Sequence, residues 1–125
     1  MNTGPSRRPE RVAERIRSEL MQLLLRGVVR DPAANDCCVT DVQMTDDLGI
    51  AKVYVRLLRG DVDESAQRGA IDALGRAAGF LRRELGPKLK LKYLPELRFY
   101  WDDGIDRAGR IATLLSEIER EGKAP

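Results

Sequence analysis

A chain of 125 residues can bury one hydrophobic core but is too short for two. Its 42% hydrophobic content suffices for that core, and 34% charged residues require a heavily solvated surface; aromatics are only 5%, so packing falls to Leu, Val, Ile and Ala. The formal net charge of +2 conceals four blocks, +4 over residues 1–30, −5 over 31–64, +5 over 65–92 and −2 over 93–125, a sidedness that would draw a polyanion to two stretches and repel it from the others.

In chain order, the first element predicted is an amphipathic helix. Val12, Ile16, Leu20, Leu23 and Leu24 recur at helical spacing, with Arg11, Glu14, Arg15, Ser18 and Glu19 off the stripe. Pro9 suits a helix start and Gly27 a stop. After Asp31-Pro32 the period changes to two. Cys38, Thr40, Val42 and Met44 share one face of a predicted strand, and Val39, Asp41, Gln43 and Thr45 the other. Asp46-Asp47-Leu48-Gly49 supplies a turn. Ala51, Val53, Val55 and Leu57 then alternate with Lys52, Tyr54, Arg56 and Leu58, completing an antiparallel hairpin.

Asp63 is placed to cap a second helix carrying Ala66, Ala70, Ile71, Leu74, Ala78, Leu81 and Leu85, which Gly86-Pro87 should end. Gly75 and Gly79 each cost about 1 kcal/mol relative to Ala in a helix interior, so a kink, or a break into two helices, is expected there. Lys88 to Lys92 reads as a short edge or an extended connection between Pro87 and Pro95. Leu97, Phe99 and Trp101 face inward on the next strand, Asp102-Asp103-Gly104 closes it, and Ile105, Ala108, Ile111, Ala112, Leu115 and Ile118 mark a last helix. The predicted class is α+β, ordered α-β-β-α-(kink)-α-β-α: a three-stranded sheet with helices packed on one face, forming one domain over 1–125 with flexible ends at about 1–6 and 121–125.

Catalytic chemistry has little to work with. The chain has no histidine, which excludes Ser-His-Asp and Cys-His nucleophile pairs and His-based metal sites. Nucleotide-binding glycine motifs are missing. The carboxylate pairs Asp46-Asp47 and Asp102-Asp103 fall in predicted turns and read as solvated turn residues. No enzyme activity, metal or cofactor is expected. Cys37 and Cys38 read as reduced, small apolar residues in a cytoplasmic protein. No run approaches the ~20 apolar residues of a membrane span, and the opening Met-Asn-Thr-Gly-Pro-Ser lacks an apolar signal core.

The basic stretch Arg76, Arg82, Arg83, Lys88, Lys90 and Lys92, together with Ala77-Ala78-Gly79, is the candidate binding segment. A kink at 77–79 would uncover backbone N–H groups for phosphate, and the small side chains would admit a sugar–phosphate chain. The competing reading is that Arg82 and Arg83 simply solvate the outer helix face. Arg7, Arg8, Arg11 and Arg15 form a second basic stripe, equally open to RNA or solvent. Phe99 and Trp101 read as core.

The sequence resembles the ribosome-binding factor A family. The likeness lies in Arg8-Pro9-Glu10-Arg11-Val12-Ala13, Val39-Thr40-Asp41-Val42, Asp47 through Val55, Leu81-Arg82-Arg83-Glu84-Leu85 and Leu89 through Phe99, and spans roughly residues 7–119. The resemblance implies a type II KH-like fold in which an Ala-x-Gly helix–kink–helix, here Ala77-Ala78-Gly79, replaces the usual GxxG loop. It also implies binding of a monomer to the free 30S subunit and late maturation of 16S rRNA near its 5′ end, including in the cold. A general single-stranded RNA binder, a protein-interaction module using Asp41, Asp46 and Asp47, and a small acylphosphatase-like enzyme are the alternatives.

Overall fold

The computed structural model describes residues 7–59 and 63–104. The expected last helix and both flexible ends lie outside the described residues. The elements are α1 (Arg7–Leu25), α2 (Pro32–Asn35), β1 (Cys37–Met44), β2 (Ile50–Leu57), α3 (Glu64–Leu89) and β3 (Glu96–Trp101).

The strands form one sheet in the order β1-β2-β3, with β1 antiparallel and β3 parallel to β2. α1 packs mainly on β1 and α3 on β3, covering one face of the sheet. From α1, Ile16, Leu20, Leu23 and Leu24 are buried; they meet Val53 and Val55 of β2 and Leu74, Leu81 and Leu85 of α3 in one core. Each such side chain contributes roughly 1.5–3 kcal/mol by leaving water.

The hairpin departs from simple alternation at one point. Val39 lies opposite Val55 and Asp41 opposite Tyr54, so Thr40 is an extra residue, a β-bulge. The buried positions are therefore Cys37, Val39 and Val42, and the expected Cys38–Thr40–Val42–Met44 face holds only beyond the bulge. The bulge has a use. The Thr40 hydroxyl lies 2.6 Å from Oδ2 of Asp102, at the end of β3. Asp102 is buried, its Oδ1 accepts from the Gly104 N–H, and its carbonyl accepts from Arg56. It is not the solvated turn residue expected, because those donors replace the water it loses. Asp47 does sit in an exposed turn, accepting from the Thr45 hydroxyl and the Gly49 N–H, which hold its carboxyl below the usual range.

α2 is an unforeseen element, although its start was visible: Asp31 caps it by accepting from the Ala33 N–H, and Pro32 stands in the first turn. Both cysteines are free. Cys37 is buried, and burial pushes its thiol up to about 12, so it stays protonated and unreactive at neutral pH.

α3 corrects two expectations. It runs unbroken through Gly75 and Gly79, not as two helices. Leu74 on one side of the glycines and Leu81 and Leu85 on the other are all buried, and their burial outweighs the glycine penalty. It also continues past Gly86-Pro87 to Leu89. Gly86 presents no Cβ to clash with the proline ring, and the side chain of Leu94 occupies that space; a Cβ there would come within 3.2 Å of it. Leu89 packs on the core, and Lys90 ends the helix in the left-handed conformation at φ 54°. Lys88 is thus helical; among residues 88–92 only the part beyond Leu89 is a connection, and it bends at Lys92 and is not extended throughout.

Candidate nucleic-acid interface

The unbroken helix alters what the basic segment can do. Backbone N–H groups at 77–79 are committed to the α3 ladder and are not free for phosphate. What remains is a side-chain surface. With 3.6 residues per turn, residues seven apart return to nearly the same face. Arg76 and Arg83 are so spaced within α3, both exposed, roughly 10.5 Å apart along the axis, and Lys90, also exposed, follows at the helix end in the left-handed conformation. Between Arg76 and Arg83 lie Gly79 and, beside it, Phe80. The result is a ridge of cations separated by low ground.

The other predicted residues divide by role. Arg76 lies 3.0 Å from Oδ2 of Asp31, and that contact, with the Ala33 N–H, holds the Asp31 carboxyl below the usual range. Ala77 and Ala78 are half-buried on opposite shoulders of the ridge. Arg83 and Lys90 make no hydrogen bond or ion pair with a described residue. Arg82 points elsewhere: its Nε donates to Pro95 O at 3.0 Å and its Nη2 to Leu94 O at 2.7 Å. It braces the entry to β3. Replacing Arg82 with Lys keeps the charge but loses the planar fork, so R82K is expected to lower unfolding stability by about 1–2 kcal/mol, read by urea denaturation, with little effect on the salt dependence of binding.

Two sequence-remote stretches meet at the end of α3. Glu19 pairs with Arg15 at 3.3 Å and Lys88 at 3.8 Å, linking the stripe on α1 to the basic segment. Arg8 and Lys92 line one recess of about 320 Å³, beside the exposed ring of Tyr93. Arg11 is exposed on α1, and the side chain of Arg7 lies outside the described residues.

Sequence reasoning missed the groove between α3 and β3. A recess of about 610 Å³ there is lined by Gly75, Arg76, Ala78, Arg98 and Tyr100, among others. Its signal was the small residues every three or four positions, 75, 78 and 79, which lower one flank of the helix beside an edge strand. Phe99 is buried as expected, whereas Trp101 is half-buried, with the Arg56 guanidinium 5.6 Å from its ring centroid. Tyr54 and Tyr100 pair at 5.6 Å on the opposite face of the sheet.

The exposed glycines Gly75 and Gly79 of α3 are not needed for packing. A Cβ at Gly75 would meet nothing within 4 Å, and one at Gly79 only Nη1 of Arg83 at 3.6 Å. Gly79→Ala should therefore stabilise the fold by about 1 kcal/mol in urea unfolding, while weakening polyanion binding several-fold by raising the low ground between Arg76 and Arg83.

Among the described residues no helix is long and apolar enough to cross a membrane, and no group of three or more Cys, Asp or Glu is placed to hold a metal ion. The arrangement suits non-covalent recognition of a phosphate backbone.

A family model for ribosome-binding factor A matches residues 8–115. A ribosome-binding factor A from Desulfitobacterium hafniense is 41% identical over 114 residues, covering 91% of this chain and 88% of that relative. The solution structure of a putative ribosome binding factor A from Thermotoga maritima is 28% identical with a TM-score of 0.62, over 79% of this chain and 91% of that one. A Thermus thermophilus ribosome binding factor A homology model, fitted into the cryo-EM map of a 30S–RbfA complex, is 27% identical with a TM-score of 0.51, over 70% of this chain and 92% of that one. On these grounds the chain belongs to the ribosome-binding factor A family.

Proposed function

We propose that this chain is a non-enzymatic ribosome assembly factor that binds the free 30S subunit through 16S rRNA. The observation that carries the reading is the pair Arg76 and Arg83 on one exposed face of α3, with Gly79 and Phe80 between them and Lys90 at the helix end. Lys88 and Lys92, with Arg8, Arg11 and Arg15 of α1, extend the positive surface. Ala77, Ala78 and Gly79 act by leaving space, not by offering backbone donors. Arg82 contributes to the site indirectly, by fixing the 94–95 turn. The Thermus relative's fit within a 30S complex supports the same partner.

In this reading the factor holds one conformation of immature rRNA, aids late maturation at the 5′ end of 16S rRNA, including in the cold, and is then displaced. It works in the cytoplasm, as a single-domain monomer and without a cofactor. The protein-interaction alternative is weakened because Asp47 is engaged in its own turn. Co-sedimentation with purified 30S subunits across a salt series tests the reading. Affinity should fall steeply as salt rises, since each neutralised phosphate releases counterions; binding that is indifferent to salt would refute it.

A further inference from the structure

On the shoulder of α3 away from β3 the proposed interface leaves an aromatic ring and an apolar hollow unused. Phe80 is 36% exposed, and it lies four residues after Arg76 and three before Arg83, so it neighbours both on the helix surface. Its ring borders a recess of about 430 Å³, walled by Val28 and Val29 from the α1–α2 connection and by Ala73 and Ala77 from α3. Arg30 and Arg76 stand on the same recess, with Asp31 the one acidic group lining it.

We propose that this recess receives one unstacked base of a single-stranded RNA segment, face-on to Phe80, while the phosphates on either side pair with Arg76 and Arg83. The proposal rests on the RNA-binding reading above and adds a base-sized site to it. Three features favour a base over other occupants. Unpaired bases are commonly held on aromatic faces and arginine planes, and a ring set between cations is the arrangement that serves single strands without demanding one sequence. The apolar walls suit a base lifted from its stack, whereas the cationic rim suits the chain that carries it. Finally, the Asp31–Arg76 pair is largely exposed, with Arg76 at 68%, and such pairs are weak. A phosphate can take Arg76 from Asp31, which keeps its capping bond to Ala33.

The test uses the full chain, with affinities for free 30S subunits and for protein-free 16S rRNA measured across a salt series. Phe80→Ala and Phe80→Leu should each weaken both complexes about tenfold, without changing the slope of log affinity against log salt, because stacking releases no counterions. Phe80→Trp should bind like the parent. Phe80→Leu retains apolar bulk, so a loss shared by Leu and Ala reflects the flat ring and not folding. Unchanged affinity of both variants would overturn the proposal. So would a loss confined to intact subunits, which would mean that a ribosomal protein fills the recess. Failure of the parent chain to bind either target would instead refute the 30S reading beneath it.

Discussion

Replacing Arg76, Arg83 and Lys90 together with alanine is expected to reduce affinity for free 30S subunits by about 150- to 2,000-fold at low salt, taking roughly 1–1.5 kcal/mol for each charge-assisted contact. The same variant should flatten the slope of log affinity against log salt by about 2.7, since each lost phosphate contact removes about 0.9. Folding should be almost untouched. All three side chains are exposed, and the one ion pair lost, to Asp31, is a surface pair. The informative control is a triple substitution of the same charge off the ridge, at Arg26, Arg59 and Arg68. It should move the affinity far less, because the claim concerns alignment and not total charge. Equal losses in the two variants would show that any loss of positive charge has the same effect.

The second large effect concerns α3 itself. Leu81→Ala should lower unfolding stability by about 2–5 kcal/mol, and the melting temperature by roughly 10 °C or more, because Leu81 is fully buried and the surrounding side chains can close the gap only in part. Leu74→Ala, on the other side of Gly75 and Gly79, should cost a similar amount. Native-state hydrogen exchange supplies the sharper measurement. With one continuous helix, amides 77–80 are protected to nearly the same degree as those of 81–85. Fast exchange confined to 77–80 would mean that the glycines open the helix, and that backbone donors return as candidates for phosphate.

Much of this architecture could be read from the chain because local signals agreed. The stripe from Val12 to Leu24, the two alternating runs and the capping Asp63 each point to the element that forms. The failures share a cause, in that tertiary packing overrode a local rule. Gly75, Gly79 and Pro87 are helix breakers by propensity, but Leu74, Leu81, Leu85 and Leu89 anchor the helix on both sides of them. The short α2 was hidden because four residues carry no periodicity; only the Asp31-Pro32 start could have announced it. The basic segment was legible as a set of charges but not as a set of roles. Nothing in the spacing of Arg82 and Arg83 reveals that one braces two carbonyls while its neighbour stands clear. That separation requires knowing where residues 94 and 95 return, which is a long-range fact. Phe80 was overlooked for the same reason, since one side of its recess, Val28 and Val29, comes from just over fifty positions earlier.

Thr40 shows how a strand can hold one residue more than its ladder uses. Because Val39 and Asp41 already face consecutive residues of β2, excising Thr40 would leave Val42 and Met44 pointing the same way as before, and the interior would register no change of phase. A deletion at that site, ordinarily ruinous within a sheet, should here remove little besides the hydroxyl that anchors Asp102. The surplus residue thus belongs to the fastening between the first strand and the last, and the fate of the 102–104 turn in such a shortened chain would measure how much that fastening matters.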